Sequence, residues 1–298
     1  MRTICYFSSY FELDQIPYYI RFYLKELSSH CEKVIFITNS KQLDAGSLLF
    51  LKDTGVEPLF VKNEGWDFGM WAKCMVHHPP EGYDRLVLVN DSCILFRSLD
   101  SVFNRLESEA WEFAGILDSF QIQYHIQSYF WMVDKKAFAL LQDYFNMHPV
   151  GQSIQEVIRT YEVGLSVYMQ EHGMRIGSVY SCSVCSKQLN AAYSGIEPLI
   201  IDGFPMIKKK IIFGTFRKSE YFALSSIGFR LTPGYYLKMM KKAVKEEKGD
   251  FDFTLFEEDI KRYFNQFRNA YYSLFASLIR FVKKIPGLRK AIKLIFGK

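Results

Sequence analysis

Arg85-Leu86-Val87-Leu88-Val89 runs directly into Asn90-Asp91-Ser92, and this junction decides the fold. Four consecutive apolar residues cut off at once by polar ones are too short for an ordinary helix and read as a strand buried on both faces. Such strands belong to parallel sheets covered by helices. Working back towards the start, Thr3–Phe7, Lys33–Thr38 and Glu57–Val61 read as three more strands, with helical stretches at about Asp14–Leu27, Lys41–Lys52 and Asp67–Val76 between them. Strand and helix alternating at this spacing imply right-handed crossovers and a mainly parallel sheet, a Rossmann-like α/β fold. Working forward, the alternation loosens. Phe113–Ile116 and Ser128–Val133 read as strands, Asp134–Phe145 and Ser153–His172 as helices, and Met174–Tyr180 as a last strand. From about Lys208 the chain reads as helical and basic. Residues 1–215 are expected to form one α/β domain, and 216–298 a helical C-terminal extension.

Composition narrows the class. The 298 residues are 49% hydrophobic and 23% charged, with 27 Phe and 19 Tyr lifting the aromatic share to 17%, which excludes a disordered chain and favours a large core. The net charge is +5. No apolar run reaches the roughly 18 residues that cross a bilayer, and Met1-Arg2-Thr3-Ile4-Cys5-Tyr6 lacks the apolar stretch of a signal peptide. The expectation is a cytoplasmic protein with reduced thiols. Its one C-x-x-C, Cys182 and Cys185, lacks the second pair that a zinc ribbon needs.

In open α/β sheets, ligands bind beyond the carboxyl ends of the strands. That rule points to Ser8-Ser9-Tyr10, Thr38-Asn39-Ser40, Asn63-Glu64-Gly65-Trp66-Asp67 and Asn90-Asp91-Ser92. In Asn63-x-Gly65-x-Asp67-x-Gly69 two glycines let the backbone approach a ligand, and the new helix offers N–H groups to a diphosphate. The same residues would also serve a plain turn with Asp67 as a cap. Asp91 is delivered to the rim by a buried strand and is a candidate ligand for a hard cation, Mg2+ or Mn2+; a simple turn residue is the alternative. In His125-Ile126-Gln127-Ser128-Tyr129-Phe130-Trp131 strand alternation sends His125, Gln127 and Tyr129 to one face, a polar and aromatic surface suited to a sugar or equally a satisfied core histidine. Within Thr160-Tyr161-Glu162-Val163-Gly164-Leu165-Ser166, a helix pattern interrupted by a costly glycine, Glu162 is a candidate general base.

Taken in order, Asn63-x-Gly65-x-Asp67-x-Gly69, Leu88-Val89-Asn90-Asp91-Ser92, His125–Phe130, Tyr161–Ser166 and Gly203-Phe204-Pro205-Met206-Ile207-Lys208 resemble the rhamnan synthesis protein F family over about residues 1–215. The resemblance implies a GT-A glycosyltransferase fold. It also implies transfer of a sugar, rhamnose in the namesake, from a dTDP-, UDP- or GDP-sugar to a lipid-linked glycan or growing cell-surface polysaccharide. By it, Ser8, Asn63, Gly65, Trp66, Asp67, Gly69, Asn90 and Ser92 are expected on the donor side and His125, Gln127 and Ser128 beside the acceptor. Asp91 stands where related folds carry Asp-x-Asp, and Glu162 where inverting enzymes keep an acidic residue. The chain departs from the family pattern after Ser92, where Cys93-Ile94-Leu95-Phe96 replaces a Gly-Pro turn.

Between Lys283 and Lys298 six basic residues (Lys283, Lys284, Arg289, Lys290, Lys293, Lys298) alternate with Ile285, Leu288, Ile292, Leu294, Ile295 and Phe296, and upstream Tyr271, Phe275, Leu278 and Val282 recur at helical spacing. Two short amphipathic helices broken at Pro286-Gly287 suit an anionic membrane surface, which places the protein on the inner face of the plasma membrane. A helix packed on the domain is the alternative. Nucleic acid is not an expected partner, since no recognition motif accompanies the charge, and no G-x-G-x-x-G follows the first strand to suggest a dehydrogenase. The functional expectation is an inverting glycosyltransferase; the alternative is a non-catalytic sugar- or nucleotide-binding subunit of a membrane synthase.

Overall fold

The computed structural model describes residues 1–11, 13–148, 153–184, 190–214, 232–247 and 249–266. Strands β1 (Thr3–Ser9), β2 (Lys33–Thr38), β3 (Val56–Phe60) and β4 (Arg85–Asn90) pair in parallel in the order β3-β2-β1-β4. Helices α1 (Tyr18–His30), α2 (Ala45–Asp53) and α3 (Trp66–His77) form the crossovers. Every residue of β1 and β4 is buried, as an unbroken apolar run demands when both faces of a sheet are covered.

Beyond β4 the direction changes. After β5 (Cys93–Leu95) and α4 (Asp100–Ser108) come β6 (Phe113–Ser119), β7 (His125–Ile126) and β8 (Phe130–Asp134). Strand β8 inserts between β4 and β6, antiparallel to both, and β9 (Ile176–Tyr180) pairs in parallel with β6. The result is an eight-stranded, mainly parallel sheet, the α/β architecture that the alternation led us to expect.

Helix α5 (Phe138–Met147) leads to a longer helical segment made of α6 (Ile154–Val157), a π-helical turn (Ile158–Val163) and α7 (Gly164–Glu171). Then follow α8 (Ala191–Ser194), α9 (Ile196–Ile201), β10 (Met206–Lys208), α10 (Lys209–Phe213) and α11 (Pro233–Glu247). Strand β10 pairs antiparallel with β5, Lys208 opposite Cys93; neither strand was expected. The core on one face is aromatic. Phe68 of α3 stacks on Tyr161 at 4.9 Å and meets Trp71 edge-on, while Trp71 lies 5.8 Å from Trp131 of β8. Large rings packed this way lock the π-helical turn to the sheet.

The first compact unit runs Met1–Phe251. Helix α11 belongs to it, burying Tyr236, Met240, Ala243 and Val244, and Phe251 meets Phe22 edge-on. The boundary expected at 215 falls within residues 215–231, outside the described ones. The second unit, Asp252–Lys298, is described for a helix at 253–266, whose first turn is capped by Asp252 accepting the Thr254 N–H at 2.8 Å. The basic stretch 283–298, the upstream Tyr271, Phe275, Leu278 and Val282, and Cys185 lie outside the described residues. Among the described residues no helix is long and apolar enough to cross a membrane. Cys5, Cys31, Cys74 and Cys93 are free and buried, and Cys182 is buried.

Candidate active site

Parallel strands deliver their carboxyl ends to one rim. In register, Ser8 of β1 lies opposite Asn90 of β4, and the Asp91 N–H donates to the Ser8 carbonyl at 3.2 Å. Ser9 Oγ donates to Asp91 Oδ2 at 2.8 Å, and Ser8 Oγ donates to Asp67 Oδ1 at 2.9 Å. Two carboxyl groups thus share a largely dry corner. Burial, and then the charge of Asp91, push the Asp67 carboxyl up to about 7, against the opposing pull of Ser8, Lys209 and Lys208.

The loop before α3 has the special backbone that its glycine suggested. Gly65 sits in the left-handed region at φ 85, and Trp66 follows at φ 55, where side chains beyond glycine are uncommon. That bend leaves the Trp66 indole 36% exposed at the mouth of the helix. The Gly69 N–H donates to the Gly65 carbonyl at 3.0 Å and closes the first turn. Asn63 is exposed, and Glu64 pairs with Lys73 at 2.7 Å.

Asp91 has a cationic neighbour that sequence reasoning missed. The β5–β10 pairing lets the Lys209 N–H donate to the Ser92 carbonyl at 2.9 Å, and Lys209 Nζ then reaches Asp91 Oδ2 at 2.8 Å. Burial works against the Lys209 charge, but Asp91 and Tyr19 outweigh it and raise its pKa above the ordinary lysine value. Lys208 Nζ lies 3.2 Å from Ser92 Oγ and 4.0 Å above the Tyr129 ring, and no salt bridge joins it to a carboxylate among the described residues. The only signals for these lysines were the end of the motif Gly203–Lys208 and the run Lys208-Lys209-Lys210, which read as the start of a basic tail.

A divalent cation does not fit this corner. Asp91 Oδ2 already accepts two donors, and Asn90 Oδ1 accepts the Ser92 N–H at 3.1 Å. Among the described residues no group of three acidic, histidine or cysteine side chains is placed to hold a metal.

A second cluster surrounds Glu162 in the π-helical turn, a distortion frequently found at functional sites. Ser128 Oγ donates to Glu162 Oε2 at 2.9 Å, and His125 Nε2 lies 3.5 Å from Oε1. His125 Nδ1 is 2.8 Å from the Gln123 carbonyl. Both ring nitrogens face acceptors, and only the doubly protonated imidazolium satisfies both. Burial alone would lower the His125 pKa, but Glu162 and Gln123 raise it. Burial alone would raise Glu162, but His125, Lys208 and Ser128 together hold it below the ordinary carboxylate value. Because Lys208 acts on both Glu162 and Asp67, the two clusters lie within one another's field.

The alternation expected through His125–Trp131 is corrected here. Strand β7 stops at Ile126, and the Trp131 indole N–H donates to the Ile126 carbonyl at 3.0 Å across a turn. Gln127 therefore does not share a strand face with His125; it donates to Asn190, the cap of α8, at 3.0 Å. Tyr129 is buried beneath Lys208.

Comparison with known proteins agrees with the motifs. The virulence protein VirA of Vibrio anguillarum is 31% identical over 134 residues, covering 41% of this chain and 42% of that protein, so the match spans less than half the relative's length. Among solved structures, a cytidylyltransferase from Leptospira borgpetersenii has a TM-score of 0.39 at 13% identity, covering 76% of this chain and 93% of that one. A 4-diphosphocytidyl-2C-methyl-D-erythritol synthase from Anaerococcus prevotii has a TM-score of 0.36 at 10% identity, covering 60% and 88%. These two likenesses are too distant to bear on chemistry. The family model described as rhamnan synthesis protein F matches residues 34–269, most of the chain and every quoted motif, and the chain belongs to that family.

Proposed function

We propose that the protein is an inverting glycosyltransferase that moves a hexose, rhamnose in the family's namesake, from a nucleotide-sugar donor to a lipid-linked glycan or growing polysaccharide. The observation that carries this reading is Glu162, held anionic by His125 and Ser128, on the rim that also carries Ser8, Asp67, Asn90, Asp91 and Ser92. A carboxylate so held can accept the proton of an acceptor hydroxyl as its oxygen attacks the anomeric carbon. The bond from that carbon to the donor's diphosphate breaks on the opposite side, the configuration inverts and the nucleoside diphosphate leaves. In this reading Gly65, Gly69, Asn63 and Trp66 shape the donor loop, Trp66 offering an exposed aromatic face. Gln127 supports the acceptor side through Asn190. The basic, apolar-backed residues 283–298 hold the enzyme at an anionic membrane surface where a lipid-linked acceptor resides.

The test is incubation of the full chain with dTDP-, UDP- and GDP-sugars. Slow donor hydrolysis, abolished in Glu162→Gln while nucleotide-induced thermal stabilisation survives, is the expected result. The second reading, a non-catalytic binding subunit, is favoured by the partners already taken by both Glu162 oxygens. Polysaccharide assembly that persists in cells carrying Glu162→Gln would decide for it.

A further inference from the structure

The rim holds more positive charge than its own carboxylates use. Lys209 spends its charge on Asp91 at 2.8 Å. Lys208 makes no salt bridge among the described residues and acts on Glu162 and Asp67 through its field alone: its ammonium rests on the Tyr129 face at 4.0 Å and on the Ser92 hydroxyl at 3.2 Å. Both lysines are fixed through their backbone, Lys208 by the β5–β10 register and Lys209 by its N–H to the Ser92 carbonyl. They are therefore built into the strand ends and do not hang from a mobile tail. A cation held over an aromatic ring and short of a carboxylate is poised for an anionic ligand.

Given the glycosyltransferase reading, we propose that Lys208 and Lys209 bind the donor's diphosphate in place of a divalent cation, Lys208 contacting the phosphates and Lys209 cancelling the repulsion of Asp91. The chemistry asks for such a group. As the bond to the anomeric carbon breaks, negative charge grows on the departing phosphate oxygen, and a fixed cation beside it stabilises that charge. Lysine serves phosphates as a point charge. The single-carboxylate Asn90-Asp91-Ser92 junction, with Asp91 already paired, accords with a site that has exchanged a metal for an ammonium.

The test is nucleotide binding by the full chain, followed as thermal stabilisation and by calorimetry, with UDP, GDP, dTDP and inorganic pyrophosphate as probes. Each is measured in EDTA and again with Mg2+ or Mn2+. The expected result is an affinity for at least one probe that is unchanged within about twofold by metal and weakened roughly tenfold or more in Lys208→Met. Lys208→Arg restores most of that affinity. In Lys209→Met, Asp91 loses its ammonium and binding becomes responsive to Mn2+, a change that loss of packing alone does not produce. Should Lys209→Met fail to fold, the wild-type comparison in EDTA and Lys208→Met still decide. Binding that requires metal in the wild type overturns the inference and leaves the glycosyltransferase reading standing. Binding indifferent to both lysines also overturns the inference alone. Absence of binding to every probe, with and without metal, overturns both.

Discussion

Two donors fix the charge of Glu162, and the charge in turn fixes His125. The carboxylate is depressed below its ordinary value of 4.5 and the imidazolium raised above 6.5. The stabilisation from Glu162 is therefore complete above pH 4.5 and lost as pH falls through its folded value. That from His125 is complete below pH 6.5 and lost as pH rises through its folded value. The pair contributes most between those limits, so His125→Gln lowers Tm most at about pH 5.5. The same substitution removes the main group opposing burial, so the acid limb of donor hydrolysis moves upward, by roughly one pH unit or more. A limb that stays in place would show that Glu162 is not the base. Asp67 behaves in the opposite sense. Its carboxyl keeps its proton to about 7, while an unfolded chain releases it near 3.8. Stability therefore falls as pH rises between those values. Asp67→Asn should exceed the wild type at pH 8 by on the order of 1–3 kcal/mol and match it at pH 4, as thermal scans at the two pH values would record.

Glu162 owes its position to the π-helical turn, and that turn to its neighbours. Tyr161 stacks on Phe68 and donates to the His148 carbonyl at 2.5 Å, while Tyr144 Oη donates to the Thr160 carbonyl at 2.5 Å. Gly164 leaves room for that Tyr144 hydroxyl; a methyl group there would overlap it and crowd the Arg159 carbonyl at 3.1 Å. Gly164→Ala therefore displaces Tyr144 or reshapes the turn, costing about 1–3 kcal/mol, and lowers donor hydrolysis beyond what the loss of folded protein explains. Unchanged hydrolysis at unchanged stability would refute this account. The glycine was legible as an anomaly in a helix pattern, but its cause was not, because Tyr144 lies twenty positions away. The same limit governs the sheet. Strands β1, β2 and β4 were legible because burial on both faces writes a local apolar run, and β3, a partly exposed edge strand, from its place in the alternation. The partners of Asp91 were not, since Lys209 arrives 118 positions later through a three-residue strand pair, too short to leave a period. The turn at Gln127–Tyr129 escaped notice because His125–Trp131 keeps a strand-like alternation while an indole-to-carbonyl hydrogen bond breaks it.

The motifs of the resemblance end near residue 215, and burial binds α11 and Phe251 into the same compact unit as the rim. Arg97 shows why. Its guanidinium, 5% exposed, donates to the Ile200 carbonyl at 2.8 Å and pairs with Glu247 at 3.2 Å. A chain ending at 215 loses Glu247, the carboxylate partner of that guanidinium. It also strips the surface covered by Tyr236, Met240, Val244 and Phe251, each worth about 1.5–3 kcal/mol of apolar burial. Together these come close to the roughly 5–15 kcal/mol by which a domain is stable. Residues 1–215 alone should therefore be insoluble or lack a cooperative melt, whereas residues 1–251 should melt cooperatively and keep nucleotide-induced stabilisation. Arg97→Met in the full chain separates the two contributions, because it removes the buried cation and keeps α11. Its Tm should stay near the wild-type value, while Glu247→Ala lowers it through the loss of the carboxylate partner. A cooperative melt from residues 1–215 would mean that α11 is an attachment to the domain and not part of its core.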